Sequence, residues 1–320
     1  MSDVSVVGAG AWGIALAIQA ARAGANVLLW ARDPARAAEL AAGRESPRLP
    51  GVRLPTQVTV TGALDRVAGV ALVAVPMQHQ RAVLARLPPG TAPLVLCAKG
   101  FETGTNLLPL EVAQSVHPRT QAAVLTGPNF AHEIAAGLPA AAVVAATDAA
   151  LREPVIAALS TPTFRLYGND DPVGAQVGGA AKNVIAVAAG AVMGAGLGEN
   201  ARAALVTRGL AELARLAVAL GGRRETVMGL SGLGDLLLTC TGATSRNYSL
   251  GVALGRGEKL ADVLAARSAV TEGVATAPAL VARAAGVDLP LCTAVAALLE
   301  GRTTLRQAIA DLLARPLRDE

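Results

Sequence analysis

The chain has 320 residues, of which 52% are hydrophobic, 16% are charged and only 2% are aromatic, and its net charge is +4. A chain of this length and hydrophobicity can bury sizeable cores, which excludes an intrinsically disordered protein and favours two compact domains. The mild positive charge comes without a Lys/Arg tract, so it fits an anionic small molecule better than a nucleic acid.

The first half of the sequence alternates strand-like and helix-like segments. The predicted strands are Val4–Val7, Asn26–Trp30, Val58–Val60, Val70–Val75, Leu94–Cys97, Ala122–Leu125, Ala142–Ala146 and Phe164–Tyr167. The predicted helices between them are Trp12–Ala23, Pro34–Ala42, Gln80–Leu87 and Ala149–Leu159. This alternation predicts βαβ units in a mostly parallel, doubly wound α/β domain.

The second half shows helical patterns and almost no strand candidates. The predicted helices are Val173–Met193, Ala201–Leu220, Leu250–Leu254, Ala275–Ala285, Ala294–Gly301 and Thr304–Ala314. Because the character of the sequence changes near Asp171 and Pro172, we predict an α/β domain of residues 1–172 followed by an all-α domain of residues 173–320.

A glycine fingerprint lies at the first strand-to-helix junction. Gly8, Gly10 and Gly13 have G-x-G-x-x-G spacing, with a strand before them and a helix after them. The first glycine permits a tight turn, the second lets a pyrophosphate approach the backbone, and the third lets helix and strand pack closely. In this context the motif predicts a Rossmann-type dinucleotide site, whereas a purely structural glycine turn is the weaker interpretation.

The end of the second strand bears on the choice between NAD and NADP. Arg32 stands where an acidic residue would often bind the ribose hydroxyls, with Asp33 next and Arg36 one helical turn on. A guanidinium there can stack on adenine and bind a 2′-phosphate. The sequence favours NADP, with NAD open because of Asp33; alternatively, the two arginines are solvated surface charges.

Cysteines are scarce and unpaired in sequence. Cys97, Cys240 and Cys292 form no CxxC motif, so we expect neither a disulfide scaffold nor a metal site. We find no signal-peptide pattern, and the longest uncharged stretch, Asn183–Gly198, is shorter than the roughly 20 apolar residues of a membrane-spanning helix. We therefore expect a cytoplasmic protein without membrane insertion or nucleic-acid partners.

Polar residues follow several predicted strands and interrupt one apolar run of the helical half. Lys99 follows Leu94–Cys97, and Gly127 and Asn129 follow Ala122–Leu125, at the edge where open α/β sheets bind ligands. Lys99 is alternatively an ordinary loop charge.

Asp235 lies within "GLSGLGDLLLTC". The segment "TSRNYS" suits either an anion-binding site or a polar helix cap with a surface arginine.

Taken together, the motifs resemble the NAD(P)-dependent glycerol-3-phosphate dehydrogenases of the bacterial biosynthetic type. The similar segments run in order through nearly the whole chain: "GAGAWG", "VAVPMQHQR", "AKGFE", "GPNFAHE", "KNVIAVAAG", "GLGDLLLTC", "SRNYSLG" and "VTEGVATA". Ala11 and Met77 stand where the family usually has serine. The resemblance implies an all-α second domain of the 6-phosphogluconate dehydrogenase-like kind and a homodimer.

The resemblance also implies an activity and a set of site residues. The reaction would be reversible reduction of dihydroxyacetone phosphate to sn-glycerol 3-phosphate, which feeds phospholipid synthesis. Lys182 matches the proton donor and acceptor, Lys99 the second lysine near nicotinamide and substrate, and Asp235 the acid of the lysine network. Arg246 and Asn247 match the phosphate-binding pair, with Ser245 beside them, and Gly127 and Asn129 line the substrate. Cofactor contacts fall at Gly8, Gly10, Ala11, Trp12, Gly13, Arg32, Lys99, Ala131, Arg246 and Glu272, and substrate contacts include Lys99, Lys182 and Asp235.

The physical case for Lys182 is independent of the resemblance. The chain has only three lysines against 25 arginines, and Lys182 lies in the small, apolar segment "GGAAKNVIAVAAG". Burial and a neighbouring cation, for which Lys99 is the candidate, lower the pKa of a lysine toward the range of a general acid. Arginine holds its proton too tightly for that role. If the segment is helical, small residues such as Gly178 and Ala186 leave room there for cofactor and substrate. A snorkelling lysine is the alternative.

Two other functions remain open from the sequence. A β-hydroxyacid or phosphogluconate-type dehydrogenase would share the architecture, with Arg246 binding a carboxylate instead. A catalytically silent dinucleotide sensor would need only the fingerprint, so the presence of Lys99, Lys182 and Asp235 argues against it.

Overall fold

The computed structural model describes residues 3–88, 92–242, 244–267 and 270–316. The chain divides into two compact units: unit 1 comprises Met1–Lys99 and Leu108–Gln176, and unit 2 comprises Gly100–Leu107 and Val177–Glu320. No sequence signal predicts that Gly100–Leu107 groups with the helical half, and the domain boundary after residue 172 stays a prediction.

Unit 1 is an α/β unit. It contains β1 (Asp3–Val7), α1 (Ala11–Arg22), β2 (Asn26–Trp30), α2 (Pro34–Gly43), β3 (Glu45–Ser46), β4 (Leu49–Arg53), β5 (Val58–Thr61), β6 (Val70–Val73), α3 (Met77–Leu84), β7 (Leu94–Leu96), α4 (Pro109–Val116), β8 (Ala122–Thr126), α5 (Ala131–Ala136), β9 (Ala140–Ala145), α6 (Ala149–Leu159) and β10 (Phe164–Asn169).

Eight strands of unit 1 form one sheet in the order β10-β9-β8-β7-β6-β1-β2-β5. Neighbouring strands are parallel except β8 and β9, which are antiparallel. The chain first builds β2 and β5 on one side of β1 and then returns to β6 on the other. The loop after β1 therefore lies at the point where strand order reverses, which is where doubly wound sheets bind ligands. This architecture confirms the predicted mostly parallel sheet.

Unit 2 is helical. After α7 (Pro172–Gly194), which begins in unit 1, come α8 (Gly198–Ala219), α9 (Arg224–Val227), a π-helical segment (Leu230–Gly234), α10 (Asp235–Thr241), α11 (Arg246–Gly255), α12 (Leu260–Ala265), α13 (Glu272–Arg283), α14 (Pro290–Leu299) and α15 (Leu305–Leu313).

The sequence misses several short elements. The two-stranded sheet of β3 and β4 follows Arg44, which ends α2 in the left-handed conformation with φ of 61°. Helix α4 begins with Pro109, a first-turn proline that could have predicted it. Helices α9, α10 and α12 have only four to seven residues, which is too short for a hydrophobic period to show.

Helix α7 forms the centre of the helical half. Among the described residues it is the one helix that is long and apolar enough, by length and composition, to cross a membrane. It has 23 residues, and 89% of its most apolar window is buried inside the protein. The core helix of a folded protein meets the same criterion.

Glycines bring α7 and α11 into direct backbone contact. A Cβ atom on Gly190 would lie 2.0 Å from the carbonyl oxygen of Tyr248, and one on Gly251 would lie 2.0 Å from that of Val187. Gly194 and Gly255, one turn further along each helix, are equally crowded. Since real Cβ atoms do not come this close to oxygen, only glycine permits this spacing of the two helices.

A buried carboxylate joins α8 to α14. Glu212 is 2% exposed, and its oxygens accept hydrogen bonds from the backbone N–H groups of Leu291 (2.7 Å) and Cys292 (3.0 Å). These donors belong to the first turn of α14, where backbone N–H groups have no partner inside the helix. Glu212 thus caps a neighbouring helix, although burial raises its pKa above the usual value.

Candidate active site

The fingerprint glycines are enforced by contacts of the backbone. Gly8 has φ of +121°, and a Cβ there would lie 2.7 Å from the carbonyl oxygen of Ala74 in the loop after β6. A Cβ on Gly13 would lie 1.8 Å from the carbonyl oxygen of Gly8. Gly10 has no neighbour within 4 Å of that position and is the N-cap of α1, without a side-chain hydrogen bond. A side chain would therefore clash with the backbone at Gly8 and Gly13, whereas the position of Gly10 has free space.

Ala11 and Trp12 begin α1, as the motif predicts. Both are partly buried and pack against the core of unit 1. The backbone N–H groups of this first turn have no acceptor inside the helix, so they suit an anion.

Arg32, Asp33 and Arg36 follow β2 and are exposed. Asp33 is the N-cap of α2, where its side chain accepts a hydrogen bond from the N–H of Ala35 at 3.0 Å. Its other oxygen lies 3.7 Å from Nε of Arg36. The carboxylate predicted as the alternative ribose ligand thus already has two partners, while the side chain of Arg32 has none among the described residues.

Lys99, Gly127 and Asn129 come together in unit 1. Nζ of Lys99 donates to the carbonyl oxygen of Gly127 at 3.0 Å. Gly127 has φ of +133°, and a Cβ there would lie 3.0 Å from Cα of Ala142. Asn129 donates from Nδ2 to the carbonyl oxygen of Ala141 at 3.1 Å, whereas its Oδ1 is buried without a partner in the described part of the chain. A buried acceptor without a donor is costly unless a ligand supplies one.

Ala131, another predicted cofactor contact, is the first residue of α5. It follows the Gly127–Asn129 turn directly and is partly buried. Met77, at a position where serine is usual in the resembling family, is the first residue of α3 and is 1% exposed. Its side chain is therefore part of the packing of unit 1.

Lys182 and Asp235 form a buried ion pair in unit 2. Lys182 is 7% exposed and Asp235 is 0% exposed, and Nζ donates to Oδ1 of Asp235. Nζ also donates to Oγ1 of Thr239 at 2.9 Å, and this hydroxyl donates to the backbone oxygen of Asp235 at 2.6 Å. Because a hydroxyl has one proton, Thr239 can only accept at Lys182. The ammonium is thus oriented by two groups one helical turn apart.

Within unit 2, Asp235 balances the charge of the Lys182 ammonium, and the resemblance implied this residue as the acid of the lysine network. Lys99, the cation expected near Lys182, belongs to unit 1, and its proximity to Lys182 stays a prediction. The expected room beside Lys182 is also filled at Gly178, where a Cβ would lie 2.6 Å from the carbonyl oxygen of Ser231. That glycine lets α7 contact the π-helical segment that leads into Asp235.

The predicted phosphate-binding residues begin α11. Ser245 is its N-cap, and Oγ accepts from the N–H of Tyr248 at 3.3 Å. Arg246 is exposed, and its side chain has no partner among the described residues. Asn247 is buried, donates to Oδ1 of Asn183 at 2.8 Å and accepts from the N–H of Gly273 at 3.0 Å. The segment thus contains the helix cap and surface arginine that the sequence left as an alternative.

Asn247 connects three elements of unit 2. Asn183 is the neighbour of Lys182 on α7, and Gly273 follows Glu272, the predicted cofactor contact that begins α13. A Cβ on Gly273 would lie 2.7 Å from Oδ1 of Asn247. The amide of Asn247 therefore holds α7, α11 and α13 together near Lys182.

The cysteines have no part in this chemistry. All three are free and buried. Burial raises the pKa of Cys97 to about 12 against the opposing charge of Lys99, and that of Cys240 to about 12 against the opposing charge of Lys182. Burial likewise raises the pKa of Cys292. Since the thiolate is the reactive form, these thiols are inert at neutral pH.

Comparison with known proteins decides the family. Residues 3–152 match the model for the N-terminal part, and residues 171–310 that for the C-terminal part, of NAD-dependent glycerol-3-phosphate dehydrogenase. The chain belongs to this family.

Members of the glycerol-3-phosphate dehydrogenase family resemble the chain along its whole length. Glycerol-3-phosphate dehydrogenase [NAD(P)+] of Acidiphilium cryptum is 57% identical over 99% of this chain and 98% of its own. The enzyme of that name from Gluconobacter oxydans is 51% identical over 98% and 97%. The crystal structure of glycerol-3-phosphate dehydrogenase from Coxiella burnetii has a TM-score of 0.93 at 35% identity and covers 98% of this chain and 99% of that one.

As a member of this family the chain is an oxidoreductase that uses NAD or NADP, which confirms the predicted enzyme class, cofactors and two-part fold. The fingerprint fits a dinucleotide because Gly8 and Gly13 close the turn, while the space at Gly10 stays open beside the first turn of α1. Side chains on Gly8 or Gly13 would fill this turn.

Two residues of the site escaped the sequence analysis. Thr239 lies within the quoted motif "GLGDLLLTC", and its spacing of four from Asp235 on a helix was a usable signal. Asn183 adjoins Lys182, but its bond to Asn247 joins residues 64 positions apart. No local pattern predicts such a contact.

Proposed function

We propose that the protein catalyses the reversible reduction of dihydroxyacetone phosphate to sn-glycerol 3-phosphate. The observation that carries the proposal is the buried contact of Lys182 with Asp235 and Thr239 in unit 2. A buried lysine oriented by two partners is suited to give and take one proton at a fixed position. The bound NAD(P)H supplies the hydride for the substrate carbonyl.

Lys182 would donate its proton to the C2 oxygen of the substrate as negative charge develops there. Asp235 and Thr239 position Nζ, and Asp235 also balances the charge of the ammonium inside the protein. In the reverse direction the neutral amine accepts the proton of the C2 hydroxyl. Each direction returns Lys182 to its starting state once a proton is exchanged with solvent.

In unit 2, the substrate phosphate would bind at the start of α11. Arg246 is the exposed guanidinium at the start of α11, where a phosphate also meets the positive end of the helix dipole. Ser245 and Asn247 hold that turn in place.

In unit 1, Lys99, Gly127 and Asn129 would line the substrate. The partnerless Oδ1 of Asn129 offers an acceptor to the free hydroxyl of the three-carbon substrate. Lys99 would contact both the substrate and the nicotinamide.

The cofactor preference would be NADP over NAD. Arg32 has no acidic partner among the described residues, whereas Asp33 is committed to Ala35 and Arg36. The pyrophosphate would bind the first turn of α1, with further cofactor contacts at Ala131, Arg246 and Glu272.

The direct test mixes the purified protein with NADPH and dihydroxyacetone phosphate and follows the absorbance of the reduced cofactor. We expect rapid oxidation of NADPH and a slower reaction with NADH. If neither NADPH nor NADH supports turnover of dihydroxyacetone phosphate, the proposal is overturned. Turnover with a 3-hydroxy acid instead would favour a β-hydroxyacid dehydrogenase.

In the cell the product would supply glycerophospholipid synthesis in the cytoplasm, and the protein would act as a homodimer. Size-exclusion chromatography with light scattering tests the dimer, since a monomer has a mass of 32.1 kDa. Deleting the gene in its host and restoring growth with glycerol 3-phosphate tests the supply role.

A further inference from the structure

Trp30 occupies the carboxyl edge of the sheet in unit 1. It is the last residue of β2, and its indole N–H donates to the carbonyl oxygen of Gly62 at 3.1 Å. Gly62 directly follows β5, the neighbour of β2 at the edge of the sheet. The ring therefore spans the ends of these two strands, on the edge where this fold binds its nucleotide.

The loop after β5 also closes on the start of α2. A Cβ on Gly62 would lie 2.9 Å from Cα of Pro34, the first residue of that helix. Arg32 and Asp33 lie in the chain between Trp30 and Pro34. The indole, the Gly62 loop and the helix start thus surround the turn that carries Arg32.

A further guanidinium, that of Arg86, lies over this tryptophan. Its Cζ is 5.2 Å from the centroid of the Trp30 ring, while the residue as a whole is exposed. A guanidinium held over an aromatic ring by cation–π attraction still has N–H groups to donate to an anion. Arg86 follows the C-terminal end of α3 and belongs to no motif of the sequence, and its contact with Trp30 is the observation that brings its guanidinium close to the end of β2.

The arginine side chains at this edge differ in whether a carboxylate lies near them. Arg36 lies 3.7 Å from Asp33 and is partly neutralised, and Asp33 also caps α2. Arg32 and Arg86 have no carboxylate partner within the ranges that the structure describes. Two uncompensated guanidinium groups beside one nucleotide site are suited to a dianion rather than to a neutral hydroxyl.

We infer that Arg86 is a second specificity-determining residue for NADP and binds the 2′-phosphate of the adenosine together with Arg32. The inference deepens the proposed NADP preference and rests on it. Trp30 positions Arg86, and Arg86 contributes charge at a place where NAD has only a hydroxyl.

The test measures nucleotide binding without turnover. Isothermal titration of the full chain with adenosine 2′,5′-bisphosphate and with adenosine 5′-monophosphate isolates the 2′-phosphate, because the two ligands differ in nothing else. In Arg86→Leu we expect bisphosphate affinity to fall about 5- to 20-fold and monophosphate affinity to change less than about twofold. Arg86→Lys, which keeps the charge but loses the planar guanidinium, should fall between wild type and Arg86→Leu in bisphosphate affinity.

The matched control is Arg119→Leu, which removes an exposed arginine before β8, at the amino end of that strand. It should leave both affinities unchanged. Equal losses for both nucleotides in Arg86→Leu would mean that Arg86 only covers Trp30, and unchanged affinities would mean that it has no role; either result overturns the inference. Turnover of dihydroxyacetone phosphate by the same wild-type preparation tests the proposed reaction separately, since it does not depend on which nucleotide Arg86 selects.

Discussion

The two units contribute different parts of the polypeptide to the proposed reaction. In unit 1 the glycine turn after β1, to which we assign the nucleotide, consists of backbone, with Gly8 and Gly13 packed against carbonyl oxygens. In unit 2 the cluster around Lys182 consists of side chains that bond each other.

The difference predicts opposite sensitivities. A site made of close-packed backbone fails when atoms are added, because carbonyl oxygens cannot rotate away. A site made of paired buried side chains fails when a functional group is removed, because its partner is left unsatisfied. The following substitutions test this contrast or sharpen it.

Lys182→Met should have the largest effect on activity. Loss of the proton donor should lower kcat about 10²- to 10⁴-fold. Binding of NADPH should persist, because the nucleotide turn belongs to unit 1. Steady-state kinetics and fluorescence titration of NADPH measure the two quantities.

Lys259→Met is the control for this substitution, since Lys259 is an exposed lysine of unit 2. It should keep kcat within about twofold of wild type, as surface changes usually do. A Lys182→Met enzyme with near-normal kcat would show that another group supplies the proton.

Alanine substitutions at two fingerprint glycines should separate an effect on stability from an effect on cofactor binding. Gly13→Ala places a methyl 1.8 Å from a carbonyl oxygen, so we expect destabilisation of about 1–3 kcal/mol or more, which outweighs the roughly 1 kcal/mol gain in helix propensity. Gly10→Ala meets no atom within 4 Å and has φ of −76°. Its unfolding free energy should stay within about 0.5 kcal/mol of wild type.

The same pair should behave differently toward the cofactor. We expect Gly10→Ala to weaken NADPH binding about tenfold, because its methyl occupies the space that the pyrophosphate needs. Denaturant unfolding and NADPH titration on both variants provide the comparison. A Gly10→Ala protein with wild-type affinity would contradict the assignment of the open position to the pyrophosphate.

Arg32→Ala tests one of the two side chains of unit 1 that we assign to cofactor choice. KM for NADPH should rise about 5- to 20-fold, since a charge-assisted contact to phosphate is lost. KM for NADH should change less than about twofold. An equal rise in both values would mean that Arg32 only stacks on adenine.

Glu212→Gln should give the smallest effect, visible in pH dependence. Burial raises the pKa of Glu212 in the folded protein above the usual value of a glutamate, so the folded state takes up the proton more readily than the unfolded chain. The stability from this group is fully present below the unfolded pKa and is lost as pH rises through the folded pKa.

The glutamine keeps the shape but does not titrate. Wild type should therefore lose stability relative to Glu212→Gln as pH rises from 4 toward 7, in urea unfolding at each pH. Glu258→Gln, an exposed change, should show no such trend. A difference that is constant with pH would mean that the carboxylate is not penalised by burial.

The two units also differ in how far the sequence predicts them. The turn at Gly8, Gly10 and Gly13 is local, so a ten-residue pattern specifies its conformation and its chemistry. The Rossmann strands were predictable for the same reason, because buried parallel strands are continuous apolar runs.

Contacts between distant residues in unit 2 were not predictable in this way. The sequence identified Lys182 and Asp235, but their bond depends on Gly178 admitting the π-helical segment. Thr239 and Asn183 become site neighbours only when the helices pack. The resemblance implied Asp235 near Lys182, but its Oδ1 contact and the second contact to Thr239 follow only from the packing of the helices.

The glycine contacts between α7 and α11 affect mutational tolerance. Elsewhere in a core, a substitution can be absorbed by rotation of neighbouring side chains, which shifts helices by small amounts. Gly190 and Gly251 instead contact carbonyl oxygens directly, so at these positions no side chain can adjust. The spacing between Lys182 and Arg246, one on each helix, is therefore insulated from repacking in the rest of unit 2. Unit 2 can accept change over most of its surface while these two residues keep their separation.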